Sequence, residues 1–191
     1  MTSILKVDTL QDASGTGTPY ITGAVLQTVV QQETGATSFT SGTAPADLLL
    51  IPSNAADSTS HLSLSITPKS VNSKILLSTS IFFEGGASMH EFCWALHRDS
   101  TKLAAPSAGN RRTGISMTSM GHVDSDGNST PDSVSFSYYD TPNTTSAITY
   151  AVSFNHSADS AVVYLNRTGG DVDNIAYERG VSILIAQEIG G

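Results

Sequence analysis

The sequence predicts an all-β protein, an antiparallel β-sandwich or jelly-roll domain carrying an extended N-terminal tag. Three observations predict it. Ser and Thr together number 50 of the 191 residues, alongside 16 Gly and 7 Pro, and only 14% of side chains are charged. Such a composition favours strands and turns over helices. Apolar residues recur at period two in short segments, the spacing of a half-buried strand. Turn clusters separate these segments roughly every 8–15 residues, as in a sandwich or barrel. No helix of three turns, no βαβ rhythm and no repeat of fixed period emerges.

Taken in order, residues 1–19 open with Ile4-Leu5-Lys6-Val7-Asp8-Thr9-Leu10, which alternates apolar and polar and reads as a short extended strand. A run rich in Gly, Thr and Ser follows and reads as a linker. Tag and linker occupy residues 1–22, and the sandwich domain residues 23–191. Strands are expected over residues 23–32, 48–51 and 61–67, the last with Leu62, Leu64 and Ile66 on one face. Residues 74–83 are longer and more apolar, hence central. Residues 91–98 place Phe92, Trp94 and Leu96 at period two, and these should face the core with Leu62, Leu64, Ile66, Ile75 and Leu77. Further strands are expected over 114–120, 133–139, 147–154, 161–166 and 181–188. Turns are expected over 68–73, 99–102, 124–128, 142–145 and 168–174.

Charge narrows the function. Nine basic against seventeen acidic residues give a net charge of −8, which repels phosphates and anionic lipid, so no nucleic acid is expected as a partner. No apolar run approaches the ~20 residues of a membrane span, and the opening lacks a signal-peptide core. A single cysteine, Cys93, excludes an intramolecular disulfide and reads as core packing beside Trp94.

Catalytic and metal motifs are weak. His90-Glu91 with His97 lacks the four-residue spacing of a zinc helix, and in a strand a separation of seven puts the two histidines on opposite faces. Asp124-Ser-Asp126-Gly-Asn128 resembles the start of a calcium loop, but Gly127 stands fourth and Ser135 twelfth, where an EF-hand needs Gly sixth and Glu twelfth. It reads as a solvated turn, with a weak calcium site on other ligands left open. Gly85-Gly86 and Gly169-Gly170 lack what phosphate binding requires, and no G-x-S-x-G occurs. No enzyme, cofactor or metal is expected.

Several segments together resemble a group of tail-fibre and virion structural proteins of tailed bacteriophages, notably of marine and cyanobacterial hosts. They are Ser3-Ile4-Leu5-Lys6-Val7-Asp8-Thr9-Leu10-Gln11-Asp12-Ala13-Ser14-Gly15, Gly23-Ala24-Val25-Leu26-Gln27, and Leu64-Ser65-Ile66-Thr67-Pro68-Lys69-Ser70-Val71-Asn72-Ser73-Lys74-Ile75-Leu76. Residues 140–150 and the closing strand over 182–189 also fit. The resemblance spans nearly the whole chain and transfers no active-site residue. It implies a homotrimeric virion component whose terminal tag docks on other virion proteins of the tail, baseplate or capsid.

On this reading Ile4, Leu5, Val7 and Leu10 make the docking contacts by strand addition. Nineteen extended residues span at most ~65 Å, so the tag reaches beyond its own domain. Loops over 84–89, 105–112 and 138–143 are candidates for contact with a host-surface glycan or protein, with Arg111, Arg112, Tyr138 and Tyr139 as contact residues. A capsid decoration protein that stabilises the head is the alternative. A glycan-degrading spike enzyme comes third and would need paired carboxylates across a groove.

Overall fold

The structure is a computed structural model that describes residues 22–44, 46–57, 61–86, 89, 91–118 and 128–191. Among the described residues twelve strands form two six-stranded antiparallel sheets. They are β1 (Val25–Glu33), β2 (Thr37–Thr40), β3 (Leu48–Leu49), β4 (Ser63–Ile66), β5 (Lys74–Gly85), β6 (Phe92–Arg98), β7 (Thr101–Lys102), β8 (Ser116–Thr118), β9 (Asp132–Asp140), β10 (Ile148–Asn155), β11 (Val162–Leu165) and β12 (Ser182–Ile189). A single 3-10 turn, Pro52–Asn54, is the helical element among the described residues.

Four pairs of these strands lie end to end. β11 and β12 run along the same side of β5, at Phe83–Gly85 and Lys74–Ser80, while β9 takes the other side. β1 pairs with β12 and β2 with β11, so they too form one row. In the second sheet β3 and β4 share one side of β10, and β7 and β8 share one side of β6. Each sheet therefore has four rows. Numbered in chain order, their sequence is 1-8-3-6 in the first sheet and 2-7-4-5 in the second. That is the jelly-roll arrangement, and the expected fold class stands.

Period-two patterning makes the core. β5 sends Ile75, Leu77, Ile81 and Phe83 inward, each with no exposed surface, while Leu76, Ser78, Ser80 and Phe82 are half-buried on the outer face. From the second sheet come Leu62, Leu64, Ile66, Phe92, Trp94, Leu96, Tyr150, Val152 and Phe154. All eight residues expected to face the core, Trp94 among them, do so. Trp94 stands edge-on to Phe83 at 4.7 Å between ring centroids and lies 6.1 Å from Phe154, which fixes the packing at this end of the sandwich.

Two strands were not expected from the sequence. β2 is four residues of Thr-Ser-Phe-Thr with one apolar side chain, Phe39, to signal it. β7 is two residues inside the turn expected over 99–102, where Asp99 turns the chain at φ 51°. Tertiary pairing with β11 and β6 makes them strands.

The row interruptions are tied down by buried polar side chains. Asn166, at φ 59°, ends β11; its Nδ2 donates to Glu33 O (2.8 Å) and Gly35 O (2.9 Å), and its Oδ1 accepts from Ser182 Oγ (2.6 Å). One side chain thus secures the gaps in two adjacent rows. Glu33 accepts from Gly35 N and His61 N, and Glu84 from Thr130 N and Gly169 N. Asp140 on β9 accepts from Tyr150 Oη at 2.7 Å and Arg98 Nη1 at 3.0 Å, clamping one sheet to the other.

Candidate functional site

The strand gaps matter because the long segments that fill them build the surface. Residues 103–115 leave the β7–β8 row and return against β6, where Leu103 N donates to Leu96 O and Ile115 N to Trp94 O. The return is close. A Cβ on Gly114 would lie 2.5 Å from Trp94 O and 2.9 Å from Cys93 Sγ, so only glycine fits over β6 at that point.

Between this segment and the start of β6 lies a groove of about 720 Å³. Phe92, Cys93, Met117 and Thr118 line it from the β6–β8 ladder, Glu91 and Arg112 from its rim, and Ala44 and Ser157 from the neighbouring loops. Arg112 donates through Nη1 to Glu91 O (2.6 Å) and through Nη2 to Glu91 Oε2 (2.7 Å), which pins the segment to the strand. Arg111 follows a tight turn that holds Gly109 at φ 62°; its side chain is exposed and among the described residues donates to Ala108 O alone. Met117, 64% exposed, adds an apolar surface, and Thr118 accepts from Trp94 Nε1 at 2.8 Å. Charge-assisted donors, a carboxylate and a small apolar platform therefore converge on a floor backed by the aromatic core. Such a lining suits a hydroxyl-rich ligand with planar polar edges.

The neighbouring outer face of the second sheet is buried and polar. Asp47 accepts from Lys102 Nζ at 2.8 Å and Asn155 Nδ2 at 2.6 Å, with His97 Nε2 3.8 Å away. Burial lowers the His97 pKa below its usual value, opposed by Asp47 and assisted by Lys102. Burial also pushes the Cys93 thiol up against the pull of Lys102 and Arg112. Cys93 is 2% exposed, as the packing role expects, but it points away from the Phe92–Trp94 core and onto this second face. Among the described residues no group of three His, Cys, Asp or Glu could hold a metal ion.

The sequence-stated site residues separate. Arg111 and Arg112 reach the groove. Tyr138 and Tyr139 lie on β9 in the other sheet, where alternation turns Tyr138 inward against the core and leaves Tyr139 53% exposed on the outer face. Glu84, at the start of an expected contact loop, sits inside β5 and is buried. Ile4, Leu5, Val7 and Leu10, His90, and Asp124 to Gly127 lie outside the described residues. Asn110 belongs to the contact loop expected over 105–112, but Glu91, Met117 and Thr118 were not legible as site residues. They meet Arg111 and Arg112 only through the β6–β8 pairing, and no local spacing signals it. No model of a known protein family matches the chain, and no curated protein sequence matches it.

Proposed function

We propose that this chain is a structural module of a tailed-bacteriophage virion: a homotrimeric fibre- or spike-like jelly roll, fixed to the particle by residues 1–22, whose groove holds a host-surface glycan. The groove carries the reading. An exposed Arg111, an Arg112–Glu91 pair and the Met117 surface stand together on a rigid β-scaffold, and loops on such scaffolds are where recognition concentrates. Arginine forks and a carboxylate match vicinal sugar hydroxyls, and a thioether covers the apolar face of a pyranose. The jelly roll supports the reading by analogy, because viral coats and lectins both use it.

Adsorption to host cells tests it. Arg111→Ala removes an exposed side chain that, among the described residues, bonds only within its own turn, so the domain should fold normally while adsorption of particles carrying it falls about tenfold, the cost of one charge-assisted bond. Unchanged adsorption by both Arg111→Ala and Met117→Ser would remove the groove from host attachment.

A capsid decoration protein is the second reading, favoured by the jelly-roll topology that viral capsid domains share. Copy number separates the two: decoration needs hundreds of copies per particle, fibres tens. A glycan-degrading enzyme would require a second carboxylate across from Glu91; among the described lining residues Glu91 is the one acid, and Arg112 holds it.

A further inference from the structure

The outer face of the first sheet has an unusual charge distribution for so acidic a chain. Alongside residues 74–82 of β5, the side chains that point outward from β1, β5, β9 and β12 include no carboxylate, and Lys74 is the one cation. The register sorts what remains into two zones. Serines occupy the β9 side, where Ser135 Oγ donates to Ser80 Oγ. Aliphatic residues dominate the β12–β1 side: Val25 lies opposite Ile189 and Val30 opposite Ile185, with Ile183 beside them, while Thr28 opposite Gln187 and Gln32 opposite Ile183 are the polar positions. Val25 and Val30 are 53% and 52% exposed.

This strip runs to the margin of the sheet. Among the described residues β1 pairs only with β12, so one side of its backbone is open along nine residues that include neither Pro nor Lys. Lys69 Nζ, on Leu26 O, and a bulge between Val25 and Gln27 interrupt only its first residues. An uncovered apolar strip next to an unpaired edge is a surface that natural sheets normally blunt.

Resting on the homotrimer reading above, we infer that this strip is the subunit interface and that its occupant is a second copy of the chain. The charge argument selects that occupant. At a net charge of −8 two copies repel over most of their surface; the outer face of the first sheet lets them meet without burying a carboxylate, and its apolar part lies along β1 and β12. An acidic or basic partner would leave a matching charge on the face, and none is there apart from Lys74 at its end and Lys69 at its margin. Closed cyclic symmetry then covers the strip in every copy and stops further growth.

Sedimentation equilibrium of the full chain at micromolar concentration tests the inference, with Val30→Glu and Ile185→Glu on the strip and Ser137→Glu on the serine side of the same face. All three side chains point outward, so far-UV circular dichroism and the unfolding midpoint should stay near wild type. The expected result is a wild-type trimer of 19.9 kDa subunits, loss of assembly by about a hundredfold in dissociation constant for the two strip variants, and little change for Ser137→Glu. A wild-type trimer that survives both strip substitutions places the interface elsewhere and overturns the inference while the trimer stands. A wild-type monomer overturns both. In that case deletion of residues 1–22 asks whether the chain's own tag covers the strip, which would appear as new binding of an apolar dye to the truncated protein.

Discussion

Glu188 sits on β12 with no exposed surface, and its carboxylate accepts from Gln27 Nε2 at 2.6 Å, Lys69 N at 2.7 Å and Ser73 Oγ at 2.6 Å. A buried charge is tolerable because three donors face it, and those donors come from β1 and from the turn between β4 and β5. Glu188→Gln keeps the shape but turns an amide NH₂ toward one of them. It should cost about 2–3 kcal/mol in urea unfolding, and an unchanged midpoint would mean the turn is held by other contacts. His97 makes a different prediction. Its pKa is lowered in the fold from 6.5, so below pH 6.5 the unfolded chain takes up a proton that the folded chain does not. Stability is therefore full above about pH 6.5 and falls as the pH drops below it. His97→Gln should flatten that part of the stability–pH curve; an equally steep fall in the variant would assign the slope to the carboxylates.

At the level of elements, much of the jelly roll was legible because alternation is a local signal. β5, β6 and β10 each carry three or more apolar residues at period two, β4 carries two with Leu62 just before it, and each lies where the pattern put it. The end-to-end rows were not legible, since nothing local says that β11 and β12 share a line after a 16-residue departure or that Asn166 must close it. Asn166→Ala should thus be worse than an ordinary loop substitution. It leaves Glu33 O and Gly35 O without a donor and holds alanine at φ 59°, and together these should lower stability by about 3 kcal/mol. Asn166→Gly relieves the backbone but not the lost bonds, and should recover about 1 kcal/mol of that. Trp94→Ala, which empties the space between Phe83 and Phe154, should cost about 3–5 kcal/mol and with it most of the stability of a typical domain. The groove was half legible: Arg111-Arg112 is conspicuous in an acidic chain, whereas Glu91 and Thr118 join it only through strand pairing.

The whole molecule divides its surface by chemistry. One end of the second sheet presents the Arg111 groove, and the outer face of the first presents an uncharged strip along β1 and β12. The segment that carries Ile4, Leu5, Val7 and Leu10 precedes β1 in the chain. On the proposed reading, receptor, subunit and particle contacts fall on separate regions. Particle incorporation is the central claim, and it has a direct measurement: quantitative mass spectrometry of virions purified from an infection supplying either the full chain or residues 23–191. The account predicts that the full chain is present in stoichiometric amount, while the truncated domain is folded and soluble in the lysate but missing from the virions. Equal incorporation of the two, or absence of the full chain from purified virions, would contradict it.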